Sequence, residues 1–257
     1  MLAHPEAEWI LWVDSDAIFT DMDFKLPPER YNDHNLVVHG WSHEVYVKHS
    51  RTGINSGVFL IRNCQWSMDL IEEWIIMGPR SPYYERWAQI QSSVIKDKQI
   101  TNSDDQTGLI YLLIAHKETW AETHLENEYS PHGYWLAIVN GLDNITKIYV
   151  KVDREVAVLT RRHAEKVSQF YGAMREHYLK DKDYWKDYLR RPFLTHFSGC
   201  QPCSGQHSPA FTWEACWKGM QRALNFADNQ VLSRFGFVHP DLLNSTFVSP
   251  LQFNFPA

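Results

Sequence analysis

The chain has 257 residues, of which 44% are hydrophobic, and its formal net charge is −6. This hydrophobic fraction supports a sizeable buried core and argues against intrinsic disorder. The negative charge argues against a general nucleic-acid-binding protein, which needs a basic face. Aromatic residues make up 14% of the chain. They indicate either an aromatic-rich core or a cleft whose flat apolar faces stack against sugar rings.

The first half of the chain alternates short apolar runs with helical patterns, which is typical of an α/β protein. Buried strands are predicted at residues 9–13, 36–40 and 57–61. Helices are predicted at residues 66–77 and 84–97, followed by a third helix through Leu113. Ser103 is the expected N-cap of this third helix, with Gln106 completing a capping box.

The second half is harder to interpret from periodicity. Residues 118–152 are predicted to be strands and loops, residues 160–180 a polar helix and residues 180–191 a surface loop. A last buried strand is expected at residues 193–197, and an amphipathic helix at residues 214–235. No internal repeat and no convincing domain linker interrupts the sequence.

Two carboxylates follow the first strand directly, in the run Asp14-Ser15-Asp16. Ligands of open α/β sheets gather beyond the carboxyl ends of the strands. Carboxylates at this position can share a hard divalent cation with phosphate oxygens, although Asp and Ser at a strand end are also ordinary turn residues. The position favours a metal site.

A second acidic pair, Asp104-Asp105, precedes the third helix. It either complements the helix dipole or serves catalysis, for example by orienting a hydroxyl nucleophile. Adjacent residues seldom span the about 5–9 Å between the two carboxylates of a glycosidase, which disfavours a hydrolase. His196 ends the last strand; from the residues alone it is an ordinary buried histidine rather than a ligand.

Four cysteines are present: Cys64, Cys200, Cys203 and Cys216. Cys200 and Cys203 form a CxxC pair without a standard zinc pattern, so disulfides in an oxidising compartment are the better interpretation. Sequons at Asn144 and Asn244 agree with a secretory lumen, where alone they could be glycosylated.

Six stretches together resemble plant glycosyltransferase family 34, and they cover nearly the whole chain. They are Trp12–Met22, Gly53–Ser67, Ser103–Gln106, His132–Trp135, Thr195–Cys203 and Leu224–Gln230. Members of this family are Golgi enzymes that attach α-1,6-linked branches to cell-wall polysaccharides.

The resemblance implies a GT-A (Rossmann-like) fold, a UDP-sugar donor, a polysaccharide acceptor and retention of the anomeric configuration. It further implies that Mn²⁺ is held by Asp14, Asp16 and His196. Ser15, Asn55 and Gln201 are expected at the donor, and Asp104, Asp105 and Gln106 at the reacting carbon and acceptor hydroxyl. Homo-oligomers and hetero-oligomers both stay open.

Two branches of the family compete for this chain. Xylosyltransferases that act on xyloglucan usually carry Lys in the CxxC turn, where this chain has Gln201. Residues 161–166 are also unlike that branch. Both features resemble the galactomannan galactosyltransferases, which transfer galactose from UDP-galactose to a β-1,4-mannan; xylosyl transfer to xyloglucan is the alternative.

Family members carry an anchor, a stem and a first nucleotide-binding strand before the first strand seen here. The resemblance therefore predicts a single GT-A domain over residues 1–257 that lacks these parts, from a type II membrane protein of the Golgi lumen. A bare edge on the first strand is expected, and a non-catalytic Golgi scaffold is a further alternative. We also expect Cys203 to bridge Cys216 and Cys64 to stay unpaired.

Overall fold

The computed structural model describes residues 1, 3–98, 101–127, 135–160, 191–204 and 208–250, without the side chains of 151–160. The chain forms two compact units. The first comprises Met1–Asp14 and Leu26–Glu128, and the second Ser15–Lys25 and Tyr129–Ala257. The helix predicted at residues 160–180 and the loop at 180–191 lie almost wholly outside the described residues.

The elements confirm the mixed α/β class. The strands are β1 (Trp9–Val13), β2 (Ala17–Phe19), β3 (Leu36–Gly40), β4 (Ile54–Arg62), β5 (Thr123–Glu126), β6 (Leu194–His196), β7 (Phe237–Val238) and β8 (Ser249–Pro250). The helices are α1 (Gln65–Ile75), α2 (Tyr84–Val94), α3 (Asp105–Ala115), α4 (Trp135–Thr160) and α5 (Trp213–Leu232).

The first unit contains a four-stranded sheet in the order β1-β4-β3-β5. β4 is antiparallel to both of its neighbours, and β3 is parallel to β5. β1, β3 and β5 therefore run in one direction, so their carboxyl ends and the start of β4 share one edge of the sheet. Asp14 and Asn55 lie at this carboxyl edge, because Asp14 N donates to Gly57 O at 2.8 Å just beyond β1. β1 is the outer strand of this sheet on its side.

The core of the first unit lies between this sheet and α1–α3. Leu109, Leu113 and Leu36 are fully buried within it. α3 is almost wholly apolar and has buried residues around much of its circumference, as expected for a helix covered by neighbours. The predicted positions of β1, β3 and α1–α3 are confirmed to within a few residues.

The second unit pairs β2 with β6 and packs α4 against α5. The prediction of strands and loops over residues 118–152 holds at β5 but is wrong from residue 135 onwards, where the chain is helix α4. Its β-branched residues favour strands individually, but Leu142, Ile145 and Tyr149 recur at helical spacing and are buried against Phe226 of α5. Their period decides the structure, since only a helix places all three on one face.

The disulfide connectivity differs from the prediction. Cys200 is bonded to Cys216 with a Cα–Cα distance of 5.6 Å, and Cys203 is exposed and unbridged. Cys64 is free, as predicted. Gly199 has φ +87° and turns the chain after β6, which brings Cys200 rather than Cys203 to α5. None of the described helices combines the length and apolar character that crossing a membrane requires.

Candidate active site

Antiparallel pairing brings Asp16 to His196. In the β2–β6 ladder Ala17 lies opposite His196, and Phe197 N donates to Asp16 O at 2.8 Å. The two side chains consequently meet in a buried position, with His196 Nε2 at 3.0 Å from Asp16 Oδ1. The β2–β6 pairing alone brings together Asp16 and His196, which are 180 residues apart in the sequence.

Asp14, Asp16 and His196 form a donor set suited to a divalent metal ion. Each offers one ligand atom, and these atoms all lie within 4.8 Å of one another. Asp14 and Asp16 are separated in the sequence by Ser15 only. The Oδ1 atom of Asp14 accepts from Trp12 Nε1 at 3.0 Å. Two donors that share an octahedral ion at about 2.1 Å lie about 3.0 Å apart, which the His196–Asp16 pair matches. Carboxylate oxygens and an imidazole nitrogen fit a hard or borderline divalent cation.

Ser198 contacts the other ring nitrogen of His196. Its Oγ lies 3.2 Å from His196 Nδ1. If Nδ1 carries the proton and donates to Ser198, the lone pair of Nε2 points at the position between the ligands, which is the arrangement metal-binding histidines adopt. The sequence carried no signal for Ser198 beyond its place two residues after His196.

The start of β4 faces the acidic turn before α3. Ser56 Oγ donates to Asp105 Oδ2 at 2.8 Å, and Ser56 N donates to Gln106 Oε1 at 3.4 Å. Asn55 Oδ1 accepts from Gly57 N at 2.9 Å. The predicted donor residue Asn55 and the predicted catalytic residues Asp105 and Gln106 therefore come together at the carboxyl edge.

Asp104 has a structural place of its own. It is the N-cap of α3, with Oδ1 accepting from Thr107 N at 3.0 Å, so the predicted N-cap Ser103 is wrong. Asp104 also lies 3.7 Å from Arg51 and 3.5 Å from Lys98, measured between charged atoms. The structure thus separates the acidic pair, since only Asp105 is turned towards Ser56. The catalytic role of Asp104 stays a prediction.

Gln106 and Gln201 occupy different surroundings. Gln106 Nε2 donates to Arg51 O at 2.8 Å, which ties the first turn of α3 to the loop before β4. Gln201 is exposed, has φ +43° in the left-handed region, and accepts from Ser204 Oγ at 3.2 Å. Ser15 lies 3.6 Å from Cys203 Sγ. The donor-binding roles of Gln201 and Ser15 stay predictions.

A histidine and a glutamate close the carboxyl edge at β3 and β5. His39 and Glu126 pair in register and are both buried. Burial lowers the pKa of His39 below its ordinary value, and the nearby Glu126 opposes that decrease. Tyr31 donates to Glu126 Oε2 at 2.5 Å. This buried cluster was not predicted, because β3 was interpreted only as an apolar strand.

A cavity of about 260 Å³ opens beside the acidic turn. Its lining residues are Ile71, Trp74, Ile75, Met77, Gly78, Pro79, Ser103, Asp104 and Asp105. Its surface is mostly apolar, so the acidic turn borders a hydrophobic recess of the first unit.

The sequence profile of the galactosyl transferase GMA12/MNN10 family matches residues 1–207. The chain belongs to this family. It is 56% identical over 259 residues to Galactomannan galactosyltransferase 1 of Cyamopsis tetragonoloba, covering 100% of the chain and 58% of that relative. It is 57% identical over 258 residues to Glycosyltransferase 6 of Arabidopsis thaliana, covering 100% of the chain and 60% of that relative.

A more distant family member is named for another activity. "Probable xyloglucan 6-xylosyltransferase 5" of Arabidopsis thaliana is 39% identical over 261 residues, covering 98% of the chain and 50% of that relative. The chain spans about 58–60% of the length of the relatives it matches at 56–57% identity. The resemblance to the glycosyltransferase family is thereby confirmed.

Proposed function

We propose that the protein is a retaining α-1,6-galactosyltransferase that transfers galactose from UDP-galactose to a β-1,4-mannan. The observation that carries the proposal is the convergence of Asp14, Asp16 and His196 in a member of this family. The galactosyl donor and the mannan acceptor are supported by the 56% identity to a protein named galactomannan galactosyltransferase, against 39% for a relative named for xylosyl transfer. Gln201 adds to this support, as the residue that departs from the xylosyl branch.

The metal site explains how a UDP leaving group is accommodated. Asp14, Asp16 and His196 would hold Mn²⁺ with the two phosphates of the donor. When bound, such an ion would neutralise negative charge on the departing diphosphate. Asp14 and Asp16 place two negative charges in the site. These charges would repel the donor diphosphate, so it would bind only together with a cation.

Asp105 is assigned to the sugar end of the donor in this proposal. Its Oδ2 accepts from Ser56, the residue after Asn55, which holds the carboxylate against the start of β4. A carboxylate there stabilises positive charge on the sugar carbon and orients the acceptor O6 hydroxyl, which attacks from the face that UDP leaves. Gln106 stands next to it through its contact with Ser56 N.

The fold and location belong to the same proposal. The sheet of β1, β3 and β5 with antiparallel β4 is compatible with a GT-A fold, in which ligands lie beyond the strand ends. The Cys200–Cys216 disulfide supports an oxidising compartment, which agrees with the Golgi lumen.

The donor and acceptor are tested by direct assay. The protein is incubated with UDP-galactose or UDP-xylose, each with mannan or glucan oligosaccharides, with and without Mn²⁺. We expect transfer from UDP-galactose to mannan only when Mn²⁺ is present. Transfer from UDP-xylose to glucan would contradict the galactosyl assignment, and metal-independent transfer would contradict the role of the metal site.

Two substitutions separate binding from chemistry. Asp16→Ala should abolish Mn²⁺-dependent binding of UDP, because it removes a ligand. Asp105→Ala should lower kcat far more than it weakens UDP binding, because an interaction made mainly in the transition state acts on turnover. Transfer at the wild-type rate by Asp105→Ala would show that this carboxylate only complements the helix dipole.

A further inference from the structure

The turn that carries Asp104 and Asp105 is held from behind by a fully buried glutamine. Gln91 of α2 has 0% exposure. Its Nε2 donates to Ser103 Oγ at 2.8 Å, and its Oε1 accepts from Thr107 Oγ1 at 2.9 Å. One amide group therefore bonds to the residues on both sides of the acidic pair.

α1 supplies a second support. Trp74 Nε1 donates to the backbone oxygen of Asp105 at 2.8 Å. The indole packs so closely on α3 that a Cβ at Gly108 would lie 3.2 Å from it. Because Gly108 has no side chain, the Trp74 ring can approach this closely. The contact fixes the position of the first turn of α3 relative to α1.

Ser103 forms hydrogen bonds through both its hydroxyl group and its backbone oxygen. Its Oγ donates to Met77 O at 2.8 Å, and its backbone oxygen accepts from Tyr84 OH at 2.8 Å. On the opposite face, Asp105 Oδ2 accepts from Ser56 at 2.8 Å. The turn is thus bonded on both faces, and the Asp105 carboxylate is the group whose position these bonds determine.

A need for helix stability alone does not explain Gln91. Asp104 already caps α3, and an apolar side chain of similar volume would fill the same place without burying an amide. Buried polar groups are costly unless fully bonded, and such bonded networks hold one geometry in preference to others. The hydrogen bonds of Gln91 are therefore suited to holding Asp105 in one position.

We infer that Gln91 and Trp74 are positioning residues for Asp105. Gln91 is fully buried and acts only through the turn, and both residues hold the carboxylate where the transfer reaction needs it. The inference rests on the proposed role of Asp105 in sugar transfer. It concerns residues of α1 and α2 for which the sequence carried no catalytic signal.

Two variants test the two supports separately. Gln91→Met removes both amide bonds at similar volume, and Trp74→Phe removes the N–H and keeps an aromatic ring. Each should lower kcat about 10- to 100-fold, since a displacement of about 1 Å can cost that much. The Kd for UDP with Mn²⁺ should stay within twofold, because Asp14 and Asp16 are untouched.

The matched control is Leu36→Ala. Leu36 is fully buried in the core of the same unit but begins β3, at the end of the strand away from the carboxyl edge. This variant should lose stability and keep the kcat of the folded protein. A fall in kcat of the same size in Leu36→Ala would overturn the inference, since any core defect would then have the effect.

Hydrogen exchange gives a readout that does not depend on activity. The amides of Thr107 and Gly108, which bond to Asp104, should exchange faster in both variants than in the wild type, whereas Leu36→Ala should speed exchange throughout the core of the first unit rather than at this turn in particular. Faster exchange with an unchanged kcat would overturn the positioning role. Failure of the proposed function has a different signature, because the wild type itself would then transfer no sugar.

Discussion

At the level of single residues, the proposed metal site depends on contacts outside its three candidate ligands. His196 Nε2 lies 3.0 Å from Asp16 Oδ1 and its Nδ1 lies 3.2 Å from Ser198 Oγ, so one ring joins the ligand set to a serine of the following loop. Nε2 can bind a metal only when Nδ1 carries the proton and donates to Ser198. Second-shell partners of this kind fix the tautomer and ring orientation of a metal-binding histidine. We therefore expect Ser198 to contribute to the affinity of the site for a metal ion.

Ser198→Ala should weaken Mn²⁺ binding about tenfold, because His196 loses the bond that fixes its tautomer. Mn²⁺ affinity is measured from the electron paramagnetic resonance signal of the free ion. Ser92→Ala is the control, since its hydroxyl donates to Ala88 O within α2. An equal affinity in Ser198→Ala and wild type would exclude this role for the serine.

His39 predicts a pH dependence of stability. Burial lowers its pKa, so the folded protein keeps the ring neutral while the unfolded chain protonates it near pH 6.5. The unfolding free energy should be highest above that pH and fall as the pH drops towards the lowered pKa. His39→Gln should flatten this slope in denaturant titrations between pH 5 and 7.5. The lowered pKa of His124 leaves a residual slope. An unchanged slope in His39→Gln would contradict the prediction.

At the level of elements, helix packing in the second unit depends on the absence of a side chain. A Cβ at Gly219 of α5 would lie 2.7 Å from the ring of Trp135 and 3.1 Å from that of Phe197. Close packing leaves no room for that atom, which explains a glycine in the middle of a helix despite its low helix propensity.

Gly219→Ala should destabilise the protein by about 1–3 kcal/mol through overpacking. Gly141→Ala in α4 provides the opposite case, because its Cβ would meet nothing within 4 Å. It should stabilise the helix by up to about 1 kcal/mol. Chemical denaturation of both variants checks the signs. Equal effects of the two substitutions would show that helix propensity, not packing, is the cause.

The disulfide ties the loop after β6 to α5. Cys216→Ser should cost about 3 kcal/mol, the usual value for a closed loop of about this length. Cys203→Ser is the matched control and should leave stability unchanged, because Cys203 is unbridged. Thermal unfolding under oxidising and reducing conditions distinguishes the two. A reductant-sensitive Tm in Cys216→Ser and a reductant-insensitive one in Cys203→Ser would reverse the connectivity described here.

At the level of the whole molecule, metal binding should appear as stability. A ligand that binds only the folded state at 100 times its Kd adds about 2.7 kcal/mol. Mn²⁺ should therefore raise the Tm of the wild type, and EDTA should reverse the change. Asp16→Asn should abolish the response. Asp228→Asn should keep it, although Asp228 and His239 form a similar pair at 2.8 Å, because no third metal-binding residue is grouped with them among the residues that the structure describes. Loss of the response in Asp228→Asn would place the metal elsewhere.

The α/β class, the positions of β1, β3 and α1–α3, and the family could all be predicted from the sequence. Short apolar strands and helical spacing are local patterns, so one stretch of chain is enough to recognise each. Local patterns failed at α4, where strands and loops were predicted although Leu142, Ile145 and Tyr149 recur at helical spacing. They also failed at Ser103, because the choice of N-cap depends on which side chain reaches Thr107 N.

Which distant residues meet could not be predicted from local patterns and depends on the folded chain. Asp16 reaches His196 through the β2–β6 pairing, and Cys216 reaches Cys200 rather than Cys203 through the turn at Gly199. The different contacts of Asp104 and Asp105 are likewise tertiary. Asp105 bonds to Ser56 of β4, and the buried Gln91 of α2 bonds to residues on both sides of the acidic pair. The physical reason is that a composition or a period describes neighbours along the chain, whereas a ligand set, a disulfide and a buried hydrogen bond are contacts across it.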